Sequence, residues 1–309
     1  MRDFINFSQS IGIRDALPAS PTTLALWLTK LACPPRSLAL STCKGYLAAV
    51  LTFHVESGFD HPLRDAPPLV DRILTGIKRL TASSHTPVKN KLPITTELLR
   101  SFERHLSLNA LGDSLLWAMF WVGTIGMLRI SEFTIKNSTD DRPLRCSQLT
   151  ALDYNNRPVD LFTRDTNHQE VPYFSLHLEA SKTDPLRVGV DIVLANRTTI
   201  EAVCNYLHLR RLRRRSPVPL SMPLFTYDEV NYVGRPWLML YLNRLLVLEG
   251  KDPTKYSSHS FRKGGATSMQ AHGAPDSLIR QQGRWKSDAM HLYLRHPSLD
   301  RIIATTAQL

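Results

Sequence analysis

SSHSFRKGGATSMQAHGAPDSLIRQQGRWKSDAMHLYLRH, residues 257–296, decides how this chain reads. His259 and Arg262 stand three residues apart, a spacing that places both on one face of a helix. Ser257 or Ser258 can cap that helix at its start, and Gly273 ends it. Gly264 and Gly265 fall inside it, each disfavoured by about 1 kcal/mol relative to alanine. Such a pair predicts close approach of another backbone, either a packed helix or DNA. Pro275 opens a second helix that closes at Gly283, and Trp285 follows. Ser287 and Asp288 then cap a short helix carrying Tyr293, the only tyrosine after Trp285.

These side chains suit phosphoryl transfer with a phenol as nucleophile. A phosphodiester gains charge on the way to its transition state, so guanidiniums should fork onto its oxygens. The phenol must lose its proton, which a histidine can assist, and the leaving oxygen must gain one, which a lysine can supply. Such chemistry calls for no metal and no cofactor. It calls for a second arginine, a general acid and a way of holding DNA.

Residues 112–127, GDSLLWAMFWVGTIGM, are apolar nearly all round and predict a central buried helix too short to span a bilayer comfortably. Arg129 and Glu132 follow at once. Charges beside such a helix are costly unless paired or bound to a ligand. Three stretches, 146–152, 171–179 and 187–194, have strand character. Between the last two lies ASKTDP, a turn by composition, which puts Lys182 at or near a hairpin tip. A helix over 198–215 ends in five arginines, Arg210, Arg211, Arg213, Arg214 and Arg215, read as a DNA-backbone contact, a nuclear targeting signal or a basic helix end that suits the helix dipole. A further helix covers 236–249.

The first 82 residues read as all-helical. Ser20 and Pro21 start one helix; a second runs from Ser41 to Gly58 with Tyr46, Leu47, Val50, Leu51 and Val55 as its apolar set; a third runs from Pro68 to Leu80. MRDFINFSQS at the start reads as the last turns of an amphipathic helix, so that helix is expected to be cut short at Met1. Residues 83–93 form a polar, proline-containing linker. The fold expected is mainly α with a small antiparallel sheet in the second domain, over 94–309. Lys44, Lys78, Arg79, Lys89 and Lys91 are candidate phosphate contacts, a solvated helix face being the commoner role for any single one of the first three.

Net charge is +11 and the pI about 9.7, a balance that favours an anionic partner. The four cysteines show no zinc or redox spacing and read as reduced thiols of an intracellular protein. The N-terminus lacks a signal peptide's apolar core. No apolar run is long enough for a transmembrane helix, so no membrane partner is expected.

The order Arg129, Lys182, His259-x-x-Arg262, Trp285, Tyr293 resembles the tyrosine recombinases, or phage-integrase family. The wording GRWKSDAMHLYLRH is most similar to the branch carried by eukaryotic mobile elements of the DIRS and Crypton kinds. The resemblance implies a helical core-binding domain followed by a catalytic domain. It assigns Arg129 and Arg262 to clamp the scissile phosphate, Glu132 to brace them and Lys182 to act as general acid. His259 would assist, Trp285 would donate a hydrogen bond where many members have histidine, and Tyr293 would attack. It further implies double-stranded DNA as partner, a homotetramer on DNA, no small-molecule substrate, a nuclear setting, and integration of a mobile element through a 3′-phosphotyrosyl intermediate. The gap from Trp285 to Tyr293 is one residue shorter than is common in bacterial members. Two alternatives accompany this reading: a catalytically inactive, domesticated DNA-binding protein of the same fold, and a type IB topoisomerase.

Overall fold

The computed structural model describes residues 1–65, 68–83, 91–135, 143–163, 168–179, 188–229 and 231–285. The chain divides into two compact units, Met1–Lys89 and Asn90–Leu309. Among the described residues no helix is long and apolar enough to cross a membrane.

The first unit contains α1 (Arg2–Ser10), α2 (Pro21–Ala32), α3 (Leu40–Glu56) and α4 (Leu69–Ser83). Ser20 caps α2 as its sequence predicts, its hydroxyl accepting from the Thr23 N–H at 3.0 Å. Phe4, Leu24, Trp27, Leu28, Leu47, Val50 and Ile77 form the core. Asp3 fastens α1 to its neighbours by accepting from the Trp27 indole at 3.0 Å and from Arg36 at 2.6 Å. Tyr46 and Val55, expected on the buried face of α3, are instead exposed. A small unit cannot cover α3 all round, and Cys43, Leu47, Val50 and His54 take the covered side.

The second unit opens with α5 (Thr96–Phe102), capped by Thr95, and α6 (Leu111–Ile125), in which every residue from Ser114 to Thr124 is buried. A four-residue turn, α7 (Ile130–Phe133), follows. Strands β1 (Leu149–Leu152), β2 (Pro158–Val159), β3 (Tyr173–Leu178) and β4 (Val190–Leu194) form one antiparallel sheet in the order β2-β1-β3-β4. Three of these strands were expected, in longer form. β2 is too short to show in a sequence pattern, and Cys146–Gln148, expected as strand, is a 3-10 turn. Then come α8 (Arg197–Arg214), α9 (Arg235–Leu248), α10 (His259–Ala271) and α11 (Asp276–Gly283).

Two sequence readings change here. Residues 91–94, in part assigned to the linker, are hydrogen-bonded into the second unit: Leu92 N–H to the Lys255 carbonyl at 2.7 Å and Ile94 N–H to the Ser260 carbonyl at 2.9 Å. The arginine run at the end of α8 largely serves the fold. Arg210 is fully buried, bonded to both Glu229 carboxylate oxygens and to the Pro223 carbonyl. Arg211 donates to the Leu161 carbonyl, Arg213 to that of Tyr227 and Arg214 to Glu229. Arginines spent in this way lose the freedom that a targeting signal or a DNA contact needs.

Candidate active site

The site grows from the C-terminal end of α6. That helix closes in a Schellman motif, with the Leu128 N–H on the Gly123 carbonyl at 3.0 Å and the Met127 N–H on that of Thr124 at 3.1 Å. The left-handed position falls on a non-glycine residue, Met127, at φ 44°. Its side chain is buried with Ala266 and Ile279. The turn points the last carbonyls of the α6 corner towards α10 and α11, and side chains from those helices take them up. Gln282 Nε2 donates to the Ile125 carbonyl at 3.1 Å and one Arg284 Nη donates to that of Gly126 at 3.2 Å. The Met127 carbonyl accepts from Arg262 at 2.7 Å and from Arg284 at 3.3 Å.

Arg262 is 2 % exposed. Its second Nη donates to the Gly283 carbonyl, and the Trp285 ring lies 4.4 Å from its Cζ. Trp285 is thus a cation–π platform beneath the guanidinium. The close fit explains Gly283, where a Cβ would overlap the indole. The two helix glycines resolve in the same way: a Cβ at Gly264 would strike the Ile94 carbonyl, and one at Gly265 the Thr124 carbonyl. The backbone they admit is the protein's own.

Glu132 gathers three donors. One carboxylate oxygen accepts from an Arg129 Nη at 3.0 Å; the other accepts from the Arg129 backbone N–H at 2.8 Å and from Arg284 at 2.7 Å. Ser258 precedes α10 without a side-chain cap, the Ser257 hydroxyl accepts from the His259 N–H at 3.3 Å, and His259 sits exposed on the first turn. Arg129, His259 and Arg262 line one pocket of about 170 Å³ with Leu128, Ile130, Ser131 and Ser258. A larger cavity, about 570 Å³, lies along α8 beside Leu161, Cys204 and His208 and holds none of the predicted site residues.

Five predicted residues therefore meet around this corner: Arg129, Glu132, His259, Arg262 and Trp285. Lys182, Lys89 and Tyr293 lie outside the described residues. Lys44, Lys78 and Arg79 are exposed on α3 and α4, while Lys91 donates to the Thr254 carbonyl at 2.6 Å. Sequence reasoning missed Arg284. An arginine just past a helix-ending glycine reads as a cation for the helix dipole. In the structure its left-handed backbone, φ 57°, turns the side chain inward. Burial pulls this guanidinium below its ordinary value, Glu132 acts in the opposite direction and Arg129 adds to the lowering. Arginine nevertheless stays charged. Two guanidiniums thus share the Glu132 carboxylate and a third, that of Arg262, lines the pocket beside it, an arrangement that can accept a tetrahedral anion.

The chain is 25% identical over 311 residues to an "Integrase/recombinase xerD homolog" of Selenomonas ruminantium, covering 96% of this chain and 79% of that one. Its fold matches that of the XerH site-specific recombinase, solved bound to palindromic difH substrate as a post-cleavage complex, with a TM-score of 0.62 and 14% identity over 99% of this chain and 76% of that one. It also matches the Tn1549 transposon integrase, solved with circular intermediate DNA, at a TM-score of 0.50 and 14% identity over 94% and 85% of the two chains. No family model matches. The chain is similar over most of its length to an integrase/recombinase, and its fold is that of the tyrosine recombinase catalytic domains.

Proposed function

We propose that the protein cuts and rejoins duplex DNA by site-specific strand exchange. The observation that carries this is the pocket where Arg129, Arg262 and His259 meet, beside the Glu132 carboxylate that Arg129 and Arg284 share. Among the described residues, guanidiniums outnumber carboxylates at this pocket, and a backbone phosphate would complement that charge.

In this reading Arg129 and Arg262 hold the non-bridging oxygens of the scissile phosphate, and Glu132 with Arg284 fixes the Arg129 fork. The Tyr293 oxygen attacks phosphorus as its proton leaves with help from His259. The bond from phosphorus to the 5′-oxygen breaks, and Lys182 gives that oxygen a proton. A 3′-phosphotyrosine results, with the number of phosphoester bonds unchanged. Attack by a 5′-hydroxyl of another strand reverses the steps and frees Tyr293. Residues 1–82 act as a core-binding domain with Lys44, Lys78 and Arg79 facing DNA, and four copies work together on two sites. The DIRS- and Crypton-like wording GRWKSDAMHLYLRH supports a mobile element as the setting.

The test uses a pool of nicked suicide duplexes with a randomised central window, incubated with the full chain. A covalent protein–DNA adduct is expected, and it should vanish in Tyr293→Phe. Retardation of the same duplexes without any adduct would favour a DNA-binding protein that has lost its chemistry.

A further inference from the structure

β4 is an edge strand of the sheet, so some of its carbonyls face away from β3 and need another partner. The Gln282 amide supplies one. Its Nε2 donates to the Val193 carbonyl at 2.9 Å and, with its other hydrogen, to the Ile125 carbonyl at 3.1 Å. One side-chain nitrogen thus ties β4 to the end of α6. The tie has consequences at both ends. β3 and β4 are paired from Phe174↔Leu194 to Leu178↔Val190, and the chain between them contains Lys182. Ile125 precedes Gly126 and Met127, whose carbonyls hold Arg284 and Arg262. Gln282 itself sits on the last turn of α11, directly before Gly283, Arg284 and Trp285.

We propose that Gln282 is a positioning residue that sets the β3–β4 hairpin, and with it Lys182, against the arginine pocket. The inference rests on the reading of Lys182 as general acid. A long side chain on a hairpin needs its base fixed, because a displacement of about 1 Å at a reacting group can cost roughly a hundredfold in rate. The β3–β4 ladder fixes the hairpin within the sheet, whereas Gln282 references the edge strand to the helix corner where the phosphate would lie. A glutamine suits this position because its amide presents two N–H groups at once and carries no charge to compete with the arginines.

Gln282→Leu removes both donors and keeps most of the volume. Gln282→Glu keeps the shape and turns an acceptor towards two carbonyls. Hydrogen exchange of the free proteins is measured first, and faster exchange across 190–194 is expected in both variants, with α6 and α10 unchanged. Cleavage is then timed on a duplex recovered from the suicide pool, in its ordinary form and with a 5′-bridging sulfur, a leaving group that needs no proton. Both variants should lose about tenfold or more on the ordinary duplex and recover to near wild-type rate on the sulfur duplex. Equal loss on both duplexes, or unchanged exchange in 190–194, would overturn the proposal. Lys182→Ala is the reference: if it is not rescued by sulfur, the general-acid reading fails, while rescue of Lys182→Ala without rescue of the Gln282 variants rejects the role of Gln282 alone.

Discussion

Replacing Glu132 by glutamine separates two accounts of the arginine cluster. The carboxylate accepts from an Arg129 Nη at 3.0 Å, from the Arg129 N–H at 2.8 Å and from Arg284 at 2.7 Å. The side chains of Glu132 and Arg284 are only 5% and 6% exposed. Glutamine offers one oxygen to these three donors, and its own N–H groups must turn towards a guanidinium. Breaking a buried pair by removing one partner costs about 3–5 kcal/mol. The Arg129 arm, 21% exposed, adds less, and the two losses are not additive because they share one carboxylate. The expected destabilisation of the second unit is therefore about 4 kcal/mol, a large part of a typical domain's 5–15 kcal/mol. Urea unfolding followed by tryptophan fluorescence reads this unit through Trp117, Trp121, Trp237 and Trp285. Inorganic sulfate should recover more stability in Glu132→Gln than in the parent, since the variant's cluster has lost the carboxylate that two of its guanidiniums share. A loss below about 1 kcal/mol, the range of an exposed ion pair, or an equal response to sulfate, would refute the shared-carboxylate account.

Other expectations are more local. Arg129→Ala and Arg262→Ala should abolish adduct formation and leave most duplex affinity in a retardation assay, because affinity is spread over many phosphate contacts; equal loss of both would count against the clamp. Gly264→Ala should destabilise the second unit by several kcal/mol through collision with the Ile94 carbonyl, whereas Gly45→Ala, with open space around it, should stabilise α3 by about 1 kcal/mol; thermal melts of the two variants should move in opposite directions. The hydrogen bonds from Arg104, chiefly, and from Ser101 and His105 hold the Glu249 carboxyl below the ordinary carboxylate range. A depressed folded value stabilises above the ordinary carboxylate range and is lost as pH falls through it, so Glu249→Gln should flatten the acid limb of stability below about pH 4.5 and leave its slope at neutral pH unchanged.

Local chemistry was legible in the sequence, and so was the burial of one helix. Ser20 marks a helix start because a cap acts within three residues of itself. α6 declared itself because nothing but burial explains an apolar surface all round. What escaped depended on contacts between distant residues. Gly264 and Gly265 announced a close approach, but only the fold names Ile94 and Thr124 as the partners. The arginine run pointed outward until Glu229, well beyond the end of α8, was found beside Arg210 and Arg214. Arg284 escaped for a different reason: its direction is set by one left-handed backbone step that no periodicity encodes. On α3 the 3.6-residue period fitted two overlapping faces, and Cys43 and His54 took the covered one.

The socket for the two buried arginines is made of peptide oxygens, those of Gly126, Met127 and Gly283. No codon change deletes a carbonyl. Side-chain drift at Ile125 should therefore leave the socket intact, while Met127 and Leu128 are constrained through the backbone they must adopt. A β-branched residue at Met127 would resist the left-handed step, and proline at Leu128 would remove the N–H that closes α6 on Gly123. In an ageing copy of such a gene, these two positions would be the places where a fully intact set of charged residues could still belong to a dead enzyme.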